Sequence, residues 1–137
     1  MTRGLARLKT RADFLRVAAA RGKAVTPGLI LQAAPQPKES DHGERVRVGF
    51  TASRKVGNAV VRNRAKRRLR AVAADVLPRL GRPGVDYVLI ARAATGERPY
   101  PALVADLETA LRRVAAAPAR RNETMRRDAR PVEAPQC

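Results

Sequence analysis

Residues 45–77 read RVRVGFTASRKVGNAVVRNRAKRRLRAVAADVL, and along this stretch the apolar period changes from two to about 3.6 residues. The first part predicts a strand with one buried and one polar face, because apolar residues alternate with polar or small ones. The apolar positions are Val46, Val48 and Phe50, and the other face carries Arg47, Gly49, Thr51 and Ser53. After the strand, Gly57 and Asn58 can begin a helix that runs to about Leu77, where Pro78 ends it.

The predicted helix is apolar along one stripe and cationic around the rest. At about 100° per residue, the stripe consists of Val61, Ala65, Leu69, Val72 and Val76. Six of the nine residues at 62–70 are basic, and no acid occurs between Glu44 and Asp75. A solvated helix surface usually mixes both signs at i, i+4 spacing, whereas like charges there repel. The pattern therefore favours a polyanionic partner, and the excess of arginine suits the phosphates and bases of RNA.

The remaining chain predicts an α/β protein with the order α, two or three strands, α, β, α. A capping box at Thr10 and Asp13 begins a first helix over about 11–20. A short apolar strand at 29–31 is followed by a breaker-rich loop at 35–45. A second clear strand covers 85–91, and a last helix covers about 100–115. We expect one domain at 1–115 and a basic, disordered tail at 116–137.

Composition narrows the class of protein. The 137 residues carry 29 Lys and Arg against 12 Asp and Glu, a formal net charge of +17. No apolar run approaches the roughly 20 residues of a membrane span, and the first residues lack a secretory signal, so we expect a cytoplasmic protein without a membrane partner. Cys137 and His42 are the only residues of their types. Disulfides, a protein-bound metal and a catalytic acid–base group are therefore not expected.

The most informative resemblance lies at residues 49–70, GFTASRKVGNAVVRNRAKRRLR. This run resembles the signature of the ribonuclease P protein family, with Arg62, Asn63 and Arg64 as its core. The flanking segments RLKTRADF at 7–14 and DYVLIAR at 86–92 are similar to the first helix and last strand of that family. The resemblance extends in order over about residues 5–115.

The resemblance implies a two-layer α-β sandwich, like the second domain of ribosomal protein S5, with a left-handed βαβ crossover. It implies the protein subunit of an endonuclease that removes the 5′ leader of precursor tRNA, with hydrolysis carried by a catalytic RNA. No residue of the protein would then be catalytic, no cofactor would be bound by the protein alone, Mg²⁺ would act through the RNA, and protein oligomerisation would not be required.

The resemblance also implies two sets of binding residues. The catalytic RNA would be contacted by Arg54, Lys55, Asn58, Arg62, Asn63, Arg64, Lys66, Arg67, Arg68 and Arg70. A cleft between the first helix and the sheet would hold the single-stranded leader through Phe14, Val17, Gln32, Arg47, Thr51 and Ser53. Ala18 and Gln32 stand where the family often has aromatic residues, so we expect less stacking on the leader. From the residues alone, Phe14 is either a stacking side chain or a core aromatic.

Three other classes of protein fit parts of the sequence. A ribosomal RNA-binding protein would share the charge and the size, but the ordered signature argues against it. A DNA-binding regulator of the helix-turn-helix type needs a short helix and a turn before the basic helix, and the sequence has neither. A membrane-surface helix would have larger apolar residues than the valines and alanines of this stripe.

Overall fold

The computed structural model describes residues 5–20, 22–36 and 45–124. Strands and helices alternate along these residues, and a single 3-10 turn, Arg54–Val56, precedes the second α-helix. The elements are β1 Leu5–Arg7, α1 Arg11–Ala19, β2 Gly22–Val25, β3 Leu29–Pro35, β4 Val46–Thr51, α2 Ala59–Leu80, β5 Val85–Ala91 and α3 Tyr100–Thr124. The chain is thus a mixed α/β protein, as predicted.

The strands form one sheet in the order β1-β4-β5-β3-β2. Strands β1, β4 and β5 are parallel, and β3 pairs antiparallel with both β5 and β2. Helix α2 therefore connects two neighbouring parallel strands, β4 and β5, in a βαβ unit. The optional third strand before this crossover is present as β2, whereas β1 was not predicted. Both are short edge strands, and three or four residues are too few to show a clear alternation.

Helices cover both faces of the sheet. The main core lies between the sheet and helices α2 and α3, and it includes Leu31, Leu69, Leu89 and Leu107. On the opposite face α1 covers a smaller cluster of Leu8, Val17, Ala34 and Val88. The sheet with α2 and α3 is the predicted sandwich, and α1 adds a partial third layer. Because α1 has only nine residues, much of its face of the sheet stays uncovered.

Helix α2 follows its predicted stripe but ends later than predicted. Four stripe residues are fully buried, and Val61 at the start is 37% exposed. Asn58 caps the helix, because its Oδ1 accepts the Val61 N–H at 3.0 Å. The prediction that Pro78 ends the helix is wrong, since α2 continues to Leu80. A proline in the last turn removes one intrahelical bond, and the Gly81 N–H still closes that turn on the Leu77 carbonyl at 2.8 Å.

The other predicted elements begin at or near the predicted residues, but β3 continues four residues past its predicted end, to Pro35. The Thr10 cap is confirmed, because its Oγ1 accepts the Asp13 N–H at 3.1 Å. Strand β5 covers the predicted residues, and α3 begins at Tyr100 but continues past 115 to Thr124. Most of the predicted loop at 35–45 and the end of the predicted tail, 125–137, lie outside the described residues, so the domain boundary at 115 stays a prediction. No helix of the described part is long and apolar enough to cross a membrane.

Candidate nucleic-acid interface

The predicted RNA-binding residues lie together on the first half of α2 and on the turn that leads into it. Seven of them are exposed: Arg54, Lys55, Asn58, Asn63, Arg64, Arg67 and Arg70. Arg62, Lys66 and Arg68 are half-buried. The exposed cations face outward because the apolar stripe of α2 is packed against the sheet and α3. We call these ten residues the basic face.

The turn before α2 has a defined conformation. The Ser53 side chain caps the 3-10 turn by accepting the Lys55 N–H at 3.3 Å. Gly57 has a φ of 152°, in a region that side-chain-bearing residues rarely adopt. A Cβ at this position would also lie 2.8 Å from Cγ1 of Val61. This glycine therefore allows the chain to pass from the 3-10 turn into α2, where Asn58 caps the helix.

Arg68 differs from the other members of the basic face. Its guanidinium donates to the Arg98 carbonyl in the loop before α3. The Arg98 side chain in turn pairs with Asp106, with Nε–Oδ2 and NH2–Oδ1 distances of 2.5 and 3.1 Å. Arg68 thus joins α2 to this loop within the protein, and its predicted contact with RNA stays a prediction.

An open surface lies on the α1 side of the sheet. The strand register places Gln32, Val88 and Gly49 in one row and Ile30, Ile90 and Thr51 in the next. Strand β2 extends these rows, because Lys23 pairs with Gln32 and Val25 pairs with Ile30. Lys23 and Val25 are exposed, and Ile30, Gln32, Thr51 and Ile90 are half-buried. These six side chains form a floor beside α1, which we call the sheet cleft.

The predicted cleft residues fall into two groups. Phe14 is half-buried at the edge of α1, Gln32 and Thr51 belong to the floor, and Ser53 is exposed just beyond β4. Val17 is fully buried and Arg47 is only 8% exposed. Their side chains have almost no exposed surface, and their predicted contact with the leader stays a prediction. Alternation indicated that Arg47 faces away from the main core, but it could not show that α1 covers that position.

The predicted leader-binding residues leave out four members of the sheet cleft, Lys23, Val25, Ile30 and Ile90. Lys23 and Val25 lie on β2, which is too short to be recognised by its alternation. Ile90 lies on a strand that was predicted correctly, and counting by twos from Asp86 places it on the α1 side.

A buried charge cluster lies at the covered end of this face. The fully buried Asp86 accepts two hydrogen bonds from Arg47, at 2.8 Å from Nε to Oδ1 and 2.7 Å from NH2 to Oδ2. Arg16 of α1 donates to the same carboxylate and to Asp13 Oδ1 at 3.3 Å.

The ion pairs of this cluster change the pKa values of its members. The hydrogen bonds from Arg47 to Asp86 raise the pKa of Arg47, against the opposing effect of burial. Burial works to raise the pKa of Asp13, but its bonds to Thr10 and Arg16 and the nearby arginine charges lower it overall.

No group of three His, Cys, Asp or Glu side chains in the described ranges is placed to hold a metal ion. The described site consists of a cationic helix face, whose positive charge is not balanced by acids of its own segment, next to an open sheet floor of mixed polarity. These features define a basic α/β protein of the nucleic-acid-binding class.

Comparison with known proteins assigns the family within this class. The family model Ribonuclease P matches residues 3–115. The ribonuclease P protein component of Paramagnetospirillum magneticum is 57% identical over 116 residues, covering 85% of this chain and 87% of that protein. The corresponding protein of Ruegeria pomeroyi is 50% identical over 112 residues, covering 81% and 87%. The chain belongs to the ribonuclease P protein family.

Solved structures agree with this assignment. The RNase P protein of Staphylococcus aureus superposes with a TM-score of 0.63 at 26% identity, covering 82% of this chain and 96% of that one. The Thermotoga maritima protein gives 0.64 at 22% identity, covering 78% and 96%, and supports the fold alone. As a family member, the protein is a subunit of the tRNA-processing ribonuclease P holoenzyme and has an RNA partner there.

Proposed function

We propose that the basic face binds the catalytic RNA of ribonuclease P and that the sheet cleft holds the 5′ leader of precursor tRNA. The observation that carries this proposal is the exposed cationic surface of residues 54–70, which has no acid between Glu44 and Asp75. A surface of this kind is stabilised when phosphates supply the missing negative charge.

The basic face suits a folded RNA. Its arginines are presented from a rigid helix, so their spacing does not change on binding, and each guanidinium can grip a phosphate through two donors. Arg64, Arg67 and Arg70 are exposed side chains of one 22-residue helix. A helix with this charge suits a backbone with a regular phosphate spacing better than it suits a single small anion.

The sheet cleft suits a single strand. Its floor combines the apolar side chains of Ile30 and Ile90 with the polar groups of Thr51 and Gln32. Unpaired bases can lie on such a surface, and Phe14 at the edge of α1 offers a ring for one of them. The floor ends at Thr51, shortly before the 3-10 turn at Arg54–Val56 and the start of the basic face. The two surfaces are therefore adjacent, as a leader attached to a tRNA on the catalytic RNA would require.

The chemistry of cleavage is assigned to the RNA in this proposal. Mg²⁺ would act at RNA phosphates, the protein would bind no cofactor of its own, and one copy would suffice. A cationic subunit reduces the phosphate repulsion that divalent ions otherwise offset. The proposal includes a cytoplasmic location, which the tRNA substrate and the bacterial relatives support.

Reconstitution tests this function. Purified protein is mixed with the catalytic RNA and precursor tRNA over a magnesium series. We expect no cleavage by the protein alone, and we expect the protein to lower the magnesium concentration at which the RNA cleaves. A variant with Arg64, Arg67 and Arg70 changed to alanine tests the basic face and should lose this effect while remaining folded. Cleavage by RNA-free protein, or an unchanged magnesium requirement, would refute the proposal.

A further inference from the structure

The charge cluster beneath α1 connects the helix to three strands. Arg47 extends from β4 and Asp86 from β5, in paired register on the face that α1 covers. Arg16 reaches from α1 to Asp86 and also donates to the Pro35 carbonyl at the end of β3, at 2.9 Å. Asp13, one turn earlier on α1, accepts from Arg16 at 3.3 Å and approaches Arg47 NH2 at 3.5 Å. Two cations and two carboxylates thus alternate across the junction of helix and sheet.

The apolar contacts of α1 are few by comparison. The buried cluster on this face has four members, and only Val17 among them belongs to α1. Phe14 and Ala20 pack against it while remaining half-buried. Nondirectional apolar contact of this size leaves a nine-residue helix free to tilt or slide, whereas a forked arginine bound to a buried carboxylate has one favourable geometry. The cluster therefore determines the angle at which α1 lies on the sheet.

That angle matters because α1 forms the wall of the sheet cleft. Phe14 lies between Asp13 and Arg16 in the sequence of α1. Its ring lies over Gly49, which pairs with Val88 in the row next to that of Thr51 and Ile90. Any shift of α1 moves this ring relative to Thr51 and Ile90. The leader would then meet a cleft of a different width.

We propose that Asp86, Arg47 and Arg16 are positioning residues for leader recognition, which hold α1 at the separation from the sheet that a single RNA strand requires. This inference rests on the proposed leader site. It assigns these residues no contact with RNA: Asp86 is fully buried, Arg47 is nearly so, and the guanidinium of Arg16 donates to Asp86, to Asp13 and to the Pro35 carbonyl. Buried ion clusters often contribute little net stability while specifying a geometry.

The test compares holoenzymes reconstituted with wild-type protein, Arg16→Met and Asp86→Asn, using precursor tRNA and mature tRNA that lacks the leader. Arg112→Met is the matched control, because it removes the same charge from an exposed position on α3, behind the opposite face of the sheet. We expect Arg16→Met and Asp86→Asn to weaken precursor binding about tenfold, the effect of misplacing one stacked base. Binding of mature tRNA and of the catalytic RNA should stay within about twofold, and Arg112→Met should not alter the preference for the leader.

A spectroscopic measurement separates positioning from a general loss of stability. Phe14 and Phe50 are the only phenylalanines, so fluorophenylalanine labelling gives two ring signals. In folded Arg16→Met we expect the Phe14 signal to shift and the Phe50 signal to stay.

Two outcomes would overturn the inference. One is an unchanged leader preference together with an unchanged Phe14 signal, and the other is an equal loss of precursor tRNA binding in Arg112→Met. If Asp86→Asn does not fold, the leader preference and the Phe14 signal of Arg16→Met alone test the inference. If the wild-type holoenzyme binds both RNAs equally, the leader site itself is refuted, and the positioning role with it.

Discussion

The ring of Phe14 on α1 lies directly against the backbone of Gly49 on β4. A Cβ built on Gly49 would stand 2.5 Å from both Cε1 and Cζ of the ring and 3.2 Å from Cδ1 of Leu8. Nonbonded carbon atoms do not approach each other to 2.5 Å, so any side chain here would displace the ring. The requirement for glycine arises from this close approach, because the positive-φ glycines of the described chain are Gly57 and Gly84.

Gly49→Ala should therefore destabilise the protein and move α1 away from the sheet. Overpacking of this kind costs roughly 1–3 kcal/mol, measurable as a lower free energy of unfolding in urea. Gly96→Ala is the control, because the nearest atom to a Cβ there, Cδ of Arg64, is 4.0 Å away. Equal stability of the two variants would contradict the contact between Phe14 and Gly49.

Phe14→Leu separates stacking from packing. Leucine keeps much of the apolar volume over Gly49 but has no ring for a base. We expect precursor tRNA binding by the holoenzyme to weaken by about 1–3 kcal/mol, with mature tRNA unaffected, because only the precursor has a leader. The unfolding free energy should fall less than in Phe14→Ala, which removes the whole side chain from its contact with Gly49. Equal weakening of the binding of precursor tRNA and of mature tRNA would indicate that Phe14 has a structural role only.

Arg67 and Arg68 are neighbours in sequence with different expected effects. Arg67 is exposed, whereas Arg68 donates to the Arg98 carbonyl. Arg67→Ala should reduce the slope of log K against log salt for the catalytic RNA by about 0.7 to 0.9, as the loss of one phosphate contact does. Arg68→Ala should reduce that slope by less than Arg67→Ala, because the Arg98 carbonyl occupies part of the Arg68 guanidinium, and it should lower the unfolding free energy by about 1 kcal/mol. Equal slope changes in the two variants would contradict this difference.

The buried Tyr87 predicts a loss of stability at high pH. Burial raises its pKa above the ordinary value of 10.0, although its bond with the Arg82 backbone and the Arg82 charge oppose this. The folded state therefore keeps the phenol neutral at pH values where the unfolded chain ionises it. Stability should fall as the pH rises above about 10, and the fall should be smaller in Tyr87→Phe, as measured by urea unfolding of the two proteins between pH 8 and 11. Parallel pH curves for the two proteins would contradict the raised pKa.

Local patterns predicted the elements whose signals repeat often enough. The stripe of α2, the caps at Thr10 and Asn58 and the whole of β5 follow from side-chain spacing and from single hydrogen bonds to nearby backbone. The cationic residues of the basic face were also predictable, because an outward-facing charge needs only the helix period to place it. The prediction that α2 ends at Pro78 was wrong, because a proline in the last turn removes only one intrahelical hydrogen bond and the helix continues to Leu80.

The sequence by itself determined the βαβ unit, the basic face and the family, since all three are contained within continuous runs of residues. Only the tertiary structure decided the sheet cleft and its supports. Arg47 and Asp86 look like ordinary polar positions on strands, and they become a buried pair only because α1 lies over them. Val17 and Phe14 differ by three positions on one helix, and yet one is fully buried while the other reaches the cleft. Burial of this kind depends on how a short helix lies across strands that are distant in sequence, and no local period contains that information.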